Sequence, residues 1–449
     1  MSAAPWTGRR LHFVGIGGAG MSGLALVARA LGAEVTGSDR AESPYMEPLR
    51  AEGVEPAIGH DAANVPAGAE VVFSTAISDD NPELAAAGRK LHRSDLLAEV
   101  ARLKPCIAVA GTHGKTTTSC MVAHVLLATG RAPAYLIGGE LRTSGRNADW
   151  GGGDWLVVEA DESDRSFLKL APEVAVVTNV ELDHHSTYRS PREIEAAFRE
   201  FTAAAGTTIA WERAGVDADV TYGIGTGDAA ATDVRLGAGG SRFGALGAEL
   251  ELRVPGEHNV LNALGALAAC RAAGVEPGEA AAALGSFPGA ARRFEHRGTT
   301  ASGAVVYDDY AHHPTEVTAT LEAARTLAPR RLIACFQPHL YSRTKRLARE
   351  FGRALALADA ACVLDVYPAR ERAEDYPGVS GWLVATATAD AAGGRPVYWT
   401  PTMADAERLL VSILRDGDVL LTLGAGDVDR LAERLVTGPP VEPAGSRAA

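Results

Sequence analysis

An apolar run, Cys106-Ile107-Ala108-Val109-Ala110, stops at Gly111-Thr112-His113-Gly114-Lys115-Thr116-Thr117 and passes at once into a helical pattern. Met121, Val122, Val125 and Leu126 fall on one face of that expected helix, and Gly130 is placed to end it. A strand that feeds a glycine turn, Gly-Lys-Thr and a helix is built to cradle a polyphosphate. The first N–H groups of the helix point at the anion, and the glycines let the backbone come close. Gly111, Thr112, His113, Gly114, Lys115, Thr116 and Thr117 are therefore expected to wrap ATP, with Lys115 on the β- and γ-phosphates and the Thr116 hydroxyl on Mg²⁺. The strict motif has a further glycine where Val109 stands, so the loop is a shortened variant.

A second glycine turn lies near the start. Leu11 to Val14 reads as a strand, Gly15-Ile16-Gly17-Gly18-Ala19-Gly20 as a loop, and Leu24, Leu26, Val27 and Leu31 as the apolar positions of a helix. A strand from Glu34 to Ser38 follows and ends at Asp39. This is the dinucleotide fingerprint, which NAD, FAD and a UDP-sugar satisfy equally. Val71 to Ser74 reads as another strand and Leu84 to Val100 as one helix, before Lys104-Pro105 marks a boundary. Residues 1–104 are expected to form one doubly wound domain.

The densest chemistry comes next. The strand Trp155–Val158 runs into Glu159-Ala160-Asp161-Glu162-Ser163-Asp164, four carboxylates that repel one another unless a cation or solvent separates them. At the end of an apolar strand beside the ATP loop, Glu159 is best placed to meet a metal. Val174 to Val180 reads as a neighbouring strand, ending in Glu181, Asp183 and His184, a second cation or substrate contact. Thr207 to Arg253 alternates short strands with glycine turns and reads as a β-rich flap. Gly256–Ala263 is expected to open a helical stretch that runs to Ala273, where Asn259 has the ordinary alternative role of a cap, and Arg292-Arg293 closes this central region, 105–297. In residues 298–449, strands at Val305–Tyr307, Leu332–Phe336, Ala361–Val366, Val397–Thr400 and Val419–Leu423 end in polar motifs, among them Asp308-Asp309-Tyr310-Ala311-His312-His313-Pro314 and Gln337-Pro338-His339. That is a second doubly wound sheet with a binding edge. The tail from Gly438 reads as disordered.

Composition narrows the classes of function. The net charge is −13, and no basic run exceeds two residues, so there is no electrostatic footprint for nucleic acid. No stretch has the roughly 18 apolar residues of a membrane span, and no signal-peptide core precedes the first strand. Five scattered cysteines, Cys106, Cys120, Cys270, Cys335 and Cys362, read as buried thiols of a reducing compartment, which makes the cytoplasm the expected location.

Taken together, the Gly15–Gly23 loop, Gly111–Thr117, Glu159–Asp164, Asp183-His184, His258-Asn259, Tyr307–Pro314 and Gln337-Pro338-His339 through Arg343-Thr344 resemble the Mur ligases, and within them the alanine-adding branch. The resemblance covers residues 11 to 427. It implies a three-domain α/β enzyme: a Rossmann-like N-terminal domain for a UDP-sugar, a central P-loop ATPase-like domain for MgATP, and a Rossmann-like C-terminal domain for the amino acid. The reaction implied joins L-alanine to the lactyl carboxylate of UDP-N-acetylmuramate through an acyl phosphate. That is a step of cytoplasmic peptidoglycan precursor synthesis, and so of cell-wall growth, shape and division. By the same resemblance Gly15, Gly17, Gly18, Ala19, Met21, Ser22, Asp39, His60 and Ser74 bind the UDP-sugar. The nucleotide-loop residues together with His258, Asn259 and Arg293 bind ATP. Thr116, Glu159 and His184 hold one or two Mg²⁺ ions. Tyr310, His312 and Arg343 hold alanine, and Lys115, His184, His312 and Arg343 are the catalytic set. The chain is expected to act as a monomer or homodimer, without nucleic acid or membrane.

Two departures from the family pattern stand out. Ligases that add later residues use a carbamylated lysine shortly after the Asp-His motif, and this chain has no lysine between Lys169 and Lys345. Many members carry a basic residue where Leu340 stands, which leaves the alanine carboxylate to Arg343. The rival within the family is a recycling ligase that attaches a whole tripeptide to the same sugar nucleotide. Outside it, the first glycine loop alone fits a nicotinamide dehydrogenase, and the second alone fits an ATP-driven switch.

Overall fold

The computed structural model describes residues 4–185 and 187–436; the tail read as disordered lies outside them. Two compact units are distinguished. The first comprises Met1–Thr232, Gly244–Leu250 and Leu261–Phe287, and the second Asp233–Phe243, Glu251–Val260 and Pro288–Ala449.

The first unit opens with a parallel sheet of β1 (Arg10–Val14), β2 (Glu34–Asp39), β3 (Ala57–Ile58), β4 (Glu70–Phe73) and β5 (Arg89–His92), in the order β3-β2-β1-β4-β5. Phe13 packs with Leu24 and Val27 of the helix Ala19–Ala30 in the core beneath it. β5 is a correction. The single helix expected over Leu84–Val100 is a short helix Pro82–Ala86, then the edge strand β5, then a helix Arg93–Ala101. Ala87, the C-cap residue, is extended, and Gly88 follows it, so the chain leaves the helix there and Arg89–His92 pairs with β4.

The second sheet begins with β6 (Cys106–Ala110), β7 (Ala134–Leu141), β8 (Arg146–Trp150), β9 (Leu156–Glu159) and β10 (Val174–Val177). It continues with β11 (Thr207–Trp211), β12 (Val220–Ile224), β13 (Ala229–Gly237), β14 (Gly240–Ala245) and β15 (Ala248–Leu252), the last three dividing their residues between the units. The strand order is β15-β14-β13-β12-β11-β10-β6-β9-β7-β8. β11 and β12 prolong the parallel sheet from β10, so the region read as a flap is in its first part a continuation of the central sheet. β6 is buried along its whole length, between β10 and β9. The hairpin β7–β8 escapes the sequence reading altogether.

The third sheet lies in the second unit: β16 (Glu295–Thr299), β17 (Val305–Asp309), β18 (Arg331–Phe336), β19 (Ala360–Val363), β20 (Val397–Trp399) and β21 (Asp418–Leu423), ordered β16-β17-β21-β18-β19-β20. All its pairs are parallel except β16–β17. Helices Pro314–Arg325 and Tyr341–Leu355 cover one face, with Phe336 against Phe351. The sheets and intervening helices are the α/β architecture expected. All five cysteines are free thiols and buried. Among the described residues no helix is long and apolar enough to cross a membrane.

Candidate active site

The nucleotide loop follows β6 as read from sequence. Gly111 has φ +141° and Gly114 φ +80°, backbone settings that favour glycine. A Cβ on Gly111 would lie 1.9 Å from Thr178 Oγ1, and one on Gly114 2.5 Å from Asn262 Oδ1. Gly114 is the N-cap of the helix Lys115–Ala128, and without a side chain it leaves the first-turn N–H groups uncapped. Thr129 and Gly130 (φ +73°) end that helix as expected. The single apolar face expected is corrected: every residue from Thr116 to Leu126 is buried, so the helix is enclosed on all sides.

The loop's shape is held by the segment after β10, where the strand stops at Val177 rather than Val180. Asn179 accepts from His113 N at 2.9 Å and donates to His113 O at 2.9 Å, while Thr178 Oγ1 donates to His113 O. Thr112 Oγ1 accepts from Glu181 N and donates to Glu181 O. The paired donor and acceptor of one amide clamp the loop at His113.

Beyond the loop, the acidic run resolves into separate roles. Glu159, at the end of β9, accepts from Thr116 Oγ1 at 3.0 Å and from Gly138 N at 2.7 Å. Glu162 is wholly buried, with Lys115 Nζ 2.8 Å away and His184 Nε2 3.3 Å away. Asp161 and Asp164 share Arg93 Nη2 at 3.1 and 3.3 Å. The cations that separate these carboxylates are thus Arg93 and Lys115. Burial works against the Lys115 ammonium, yet Glu162, Asp161 and Glu159 outweigh it and hold its pKa above the ordinary value. Burial likewise opposes ionisation of Asp161, but Arg93, Lys115 and the Ser163 backbone bring its pKa down to about 2. Lys115 Nζ also donates to Gly111 O at 2.6 Å. His184 has a left-handed φ of +49° and receives the Asp183 carboxylate on its own N–H.

Thr116 Oγ1 and the pinned Glu159 carboxylate are hard oxygen donors at the mouth of the loop, a set that fits Mg²⁺. His184 is gathered to Glu162 and Lys115.

At the first glycine loop, Gly15 (φ +80°) and Ile16 donate their N–H groups to Ser38 O, and Gly17 N donates to Asp39 Oδ2 at 2.9 Å. Asp39 therefore braces the loop backbone. Met21 and Ser22 both donate N–H to Gly18 O, and their side chains are buried, Ser22 Oγ bonding Ala19 O. The N–H groups of Ala19 and Gly20 remain as first-turn donors. His60 Nδ1 lies 3.0 Å from Ser38 Oγ, and Ser74 caps the turn at Ala76–Ile77.

In the second unit, Tyr310, His312, His339 and Arg343 come together. His312 Nδ1 is 3.0 Å from Tyr310 O, its ring meets those of Tyr310 and His339, and Arg343 Nη1 lies 3.4 Å from His339 Nδ1. Arg343 is buried in the first turn of its helix. Leu340 precedes it at φ +71° with its side chain buried, so this position turns inward. Arg293 stacks on the Tyr310 ring, 5.1 Å from its centroid. Its neighbour Arg292 is committed to the buried Asp308 and to Gly424 O and Gly426 O. Asp309 accepts from Phe294 N and Ala311 N, and burial, opposed by Arg293, raises its pKa to about 6. Burial lowers His258 to about 4 despite Glu316, so its ring is neutral at pH 7. Asn259 donates to Pro255 O rather than capping the helix Glu257–Ala272.

Sequence reasoning missed Glu162, Asn179, Asn262 and Arg93. The first two lie inside the segments 159–164 and 174–180 read from sequence, and Asn262 stands three residues after Asn259, on the same face of that helix. Arg93 carried no signal, because nothing in the sequence links it to the acidic run.

An α/β chain with a sugar-nucleotide type of glycine loop, an ATP loop and a third sheet bearing a cationic site is the architecture of an ATP-dependent ligase. Sequence profiles of the Mur ligases match in three consecutive parts: the family's catalytic domain over residues 10–104, its middle domain over 109–270, and its glutamate ligase domain over 292–426. The chain belongs to the Mur ligase family. It is 45% identical to the UDP-N-acetylmuramate–L-alanine ligase of Rubrobacter xylanophilus, over 95% of this chain and 99% of the relative. Among solved structures, the UDP-N-acetylmuramate-alanine ligase MurC of Thermotoga maritima aligns with a TM-score of 0.83 at 30% identity, covering 95% of this chain and 98% of that one. A murein peptide ligase of Psychrobacter arcticus aligns with a TM-score of 0.71 at 27% identity, covering 95% and 98%. The three-domain α/β fold expected from sequence is that of the family.

Proposed function

We propose that this chain joins L-alanine to the lactyl carboxylate of UDP-N-acetylmuramate with cleavage of ATP, in peptidoglycan precursor synthesis. The supporting observation is the near full-length similarity to alanine ligases, in a chain whose Lys115, Glu162 and His184 converge beside the Thr116–Glu159 pair. The recycling reaction is the weaker reading, because the murein peptide ligase is less similar in both sequence and structure.

A carboxylate is a poor acyl donor. In this reading the lactyl carboxylate oxygen takes the γ-phosphoryl group of ATP, giving an acyl phosphate and ADP. The alanine amine then attacks the acyl carbon, loses a proton and expels phosphate. Phosphoryl transfer asks mainly for positioning and charge neutralisation. Lys115, released from Gly111 O, reaches the transferred group, and Glu162 holds it charged. Gly111, Thr112, His113, Gly114, Thr116 and Thr117 seat the triphosphate, with His258, Asn259 and Arg293 as further ATP contacts. Thr116 and Glu159 would hold Mg²⁺, with His184 for a second ion; bound there, the metal neutralises phosphate charge. Gly15, Gly17, Gly18 and Ala19, with Asp39, His60 and Ser74, take the UDP moiety. Tyr310, His312 and Arg343 hold alanine, Arg343 pairing with its carboxylate. Residues 1–104, 105–297 and 298–449 are the corresponding domains, and the reading places the enzyme in the cytoplasm, as a monomer or homodimer.

The test is phosphate release from MgATP and UDP-N-acetylmuramate with L-alanine, with the tripeptide, or with neither. Release that requires both the sugar nucleotide and alanine is expected, and a Lys115→Ala variant should lack it. Release with the tripeptide alone would move the assignment to the recycling reaction, and release without sugar nucleotide would refute both.

A further inference from the structure

Outside the catalytic constellation lies a buried charge, Glu83. It lies at the start of the helix Pro82–Ala86 and is 0% exposed. A buried carboxylate persists only when hydrogen-bonded, and this one collects donors from separate segments. Ser38 Oγ at the end of β2 donates at 2.5 Å, and Asn64 Nδ2 and Asp61 N, from the segment after β3, at 2.7 and 3.3 Å. His60 Nδ1 lies 3.2 Å away and His12 Nε2 of β1 3.7 Å away. Burial opposes the charge, but these donors outweigh it and hold the carboxyl below the ordinary range.

The position matters. With the order β3-β2-β1-β4-β5, the chain changes direction between β1 and β4, and open α/β sheets bind ligands at that crevice. Glu83 follows β4 and reaches across to the β2 side. Its partner Ser38 accepts the Gly15 and Ile16 N–H groups on its backbone oxygen. Glu83, Ser38, His60 and the glycine loop are thus one hydrogen-bonded unit.

That unit decides the chemistry of His60. Ser38 Oγ gives its proton to Glu83, so both neighbours of His60 Nδ1 are acceptors. Nδ1 must then carry the ring proton, and in the neutral ring Nε2 is left with a lone pair. Nε2 has no hydrogen-bond partner among the described residues, and the side chain is 20% exposed.

We propose that Glu83 is a positioning residue that fixes His60 in the Nδ1–H form, so that Nε2 accepts an N–H or O–H of the nucleoside of the sugar nucleotide. The inference rests on the first glycine loop being the sugar-nucleotide site. The opposite tautomer would present a donor at Nε2 and lose that contact.

Imidazole ¹⁵N NMR of the full-length protein tests the tautomer directly and needs no destabilising variant. The His60 signal, identified by its loss in His60→Gln, should show a protonated Nδ1; a protonated Nε2 would overturn the proposal. In steady-state kinetics, Glu83→Gln should raise KM for the sugar nucleotide about tenfold, the worth of one hydrogen bond, with kcat and KM for ATP within twofold. A raised KM in His60→Gln beside an unchanged KM in Glu83→Gln would refute the role of Glu83 alone. An unchanged KM in His60→Gln would instead remove the sugar-nucleotide reading of His60, and the inference with it. Weaker binding of either the N3-methyluracil or the 2′-deoxy analogue is expected, and full-strength binding of both would count against an Nε2 contact.

Discussion

Glu162→Gln isolates the charge that holds the nucleotide-loop lysine. In the folded protein the Glu162 carboxylate is 0% exposed and the Lys115 side chain 14%, with 2.8 Å between them. Coulomb's law at an effective dielectric of 20 gives an attraction of about 6 kcal/mol at that distance. Removing one partner of a buried pair costs about 3–5 kcal/mol, because the other charge stays behind without its counter-ion. Asp161 and Glu159 still face Lys115, and glutamine keeps an acceptor, so the low end applies, about 3 kcal/mol. For a body of a few hundred residues that is a fall of about 6–12 °C in the melting transition of the first unit, read by scanning calorimetry. The decisive comparison is Lys115→Met/Glu162→Gln. Without both buried charges the double variant should be more stable than Glu162→Gln alone, with a coupling of at least about 2 kcal/mol. Additive losses, or a single variant melting within about 2 °C of the parent, would refute the assignment of Glu162 as the lysine's counter-charge.

Other consequences are equally open to measurement. Gly111→Ala combines a φ of +141° with a Cβ 1.9 Å from Thr178 Oγ1; it should cost about 2 kcal/mol or more and abolish ATP binding by calorimetry, and wild-type affinity would contradict the loop geometry. Asp161 has a lowered pKa of about 2, so its contribution is present above about pH 4 and is lost as pH falls from about 4 towards 2. Linkage sets its ceiling near 2.5 kcal/mol, and because the side chain is 38% exposed, roughly 1 kcal/mol is expected. Arg93→Ala should flatten that acid limb of melting temperature against pH, and parallel limbs in the two proteins would exclude the pair as its source. Thr116→Val should raise the Mg²⁺ concentration for half-maximal turnover, with an unchanged requirement counting against a metal at Thr116 and Glu159. Glycine and serine should be used at reduced rates, since a small pocket discriminates modestly between them and alanine; rates equal to the blank without amino acid would show a stricter site.

The strands and loops at the two glycine motifs were legible because their determinants are local. Apolar strands announce themselves by composition, and Gly111 and Gly114 occupy backbone settings that few other residues adopt. The division of labour in the acidic run was not legible. Four carboxylates within six residues look alike in sequence, and which one reaches Lys115 depends on the turn made when Ser163 N bonds Asp161 and Arg165 adopts a left-handed φ of +61°. The break in the expected helix at Ala87 was missed because pairing with β4, a contact from far along the chain, overrides the helical pattern of 84–100. Asn179 was hidden for a different reason: an amide's two-sided hydrogen bonding has a use only once the partner loop is beside it.

The pairing of Arg93 and Lys115 with the acidic run also sets a local charge balance. Four carboxylates less the two cations paired with them leave an excess of two negative charges in the run. Glu159 carries a bond from the Thr116 hydroxyl, yet the field at that pair is set by the whole run. Replacing Arg93 would raise that excess to three, and Glu162→Gln would lower it to one, both at positions outside the Thr116–Glu159 pair. The electrostatic environment of the nucleotide loop is thus written partly into an arginine on a helix that follows the first sheet.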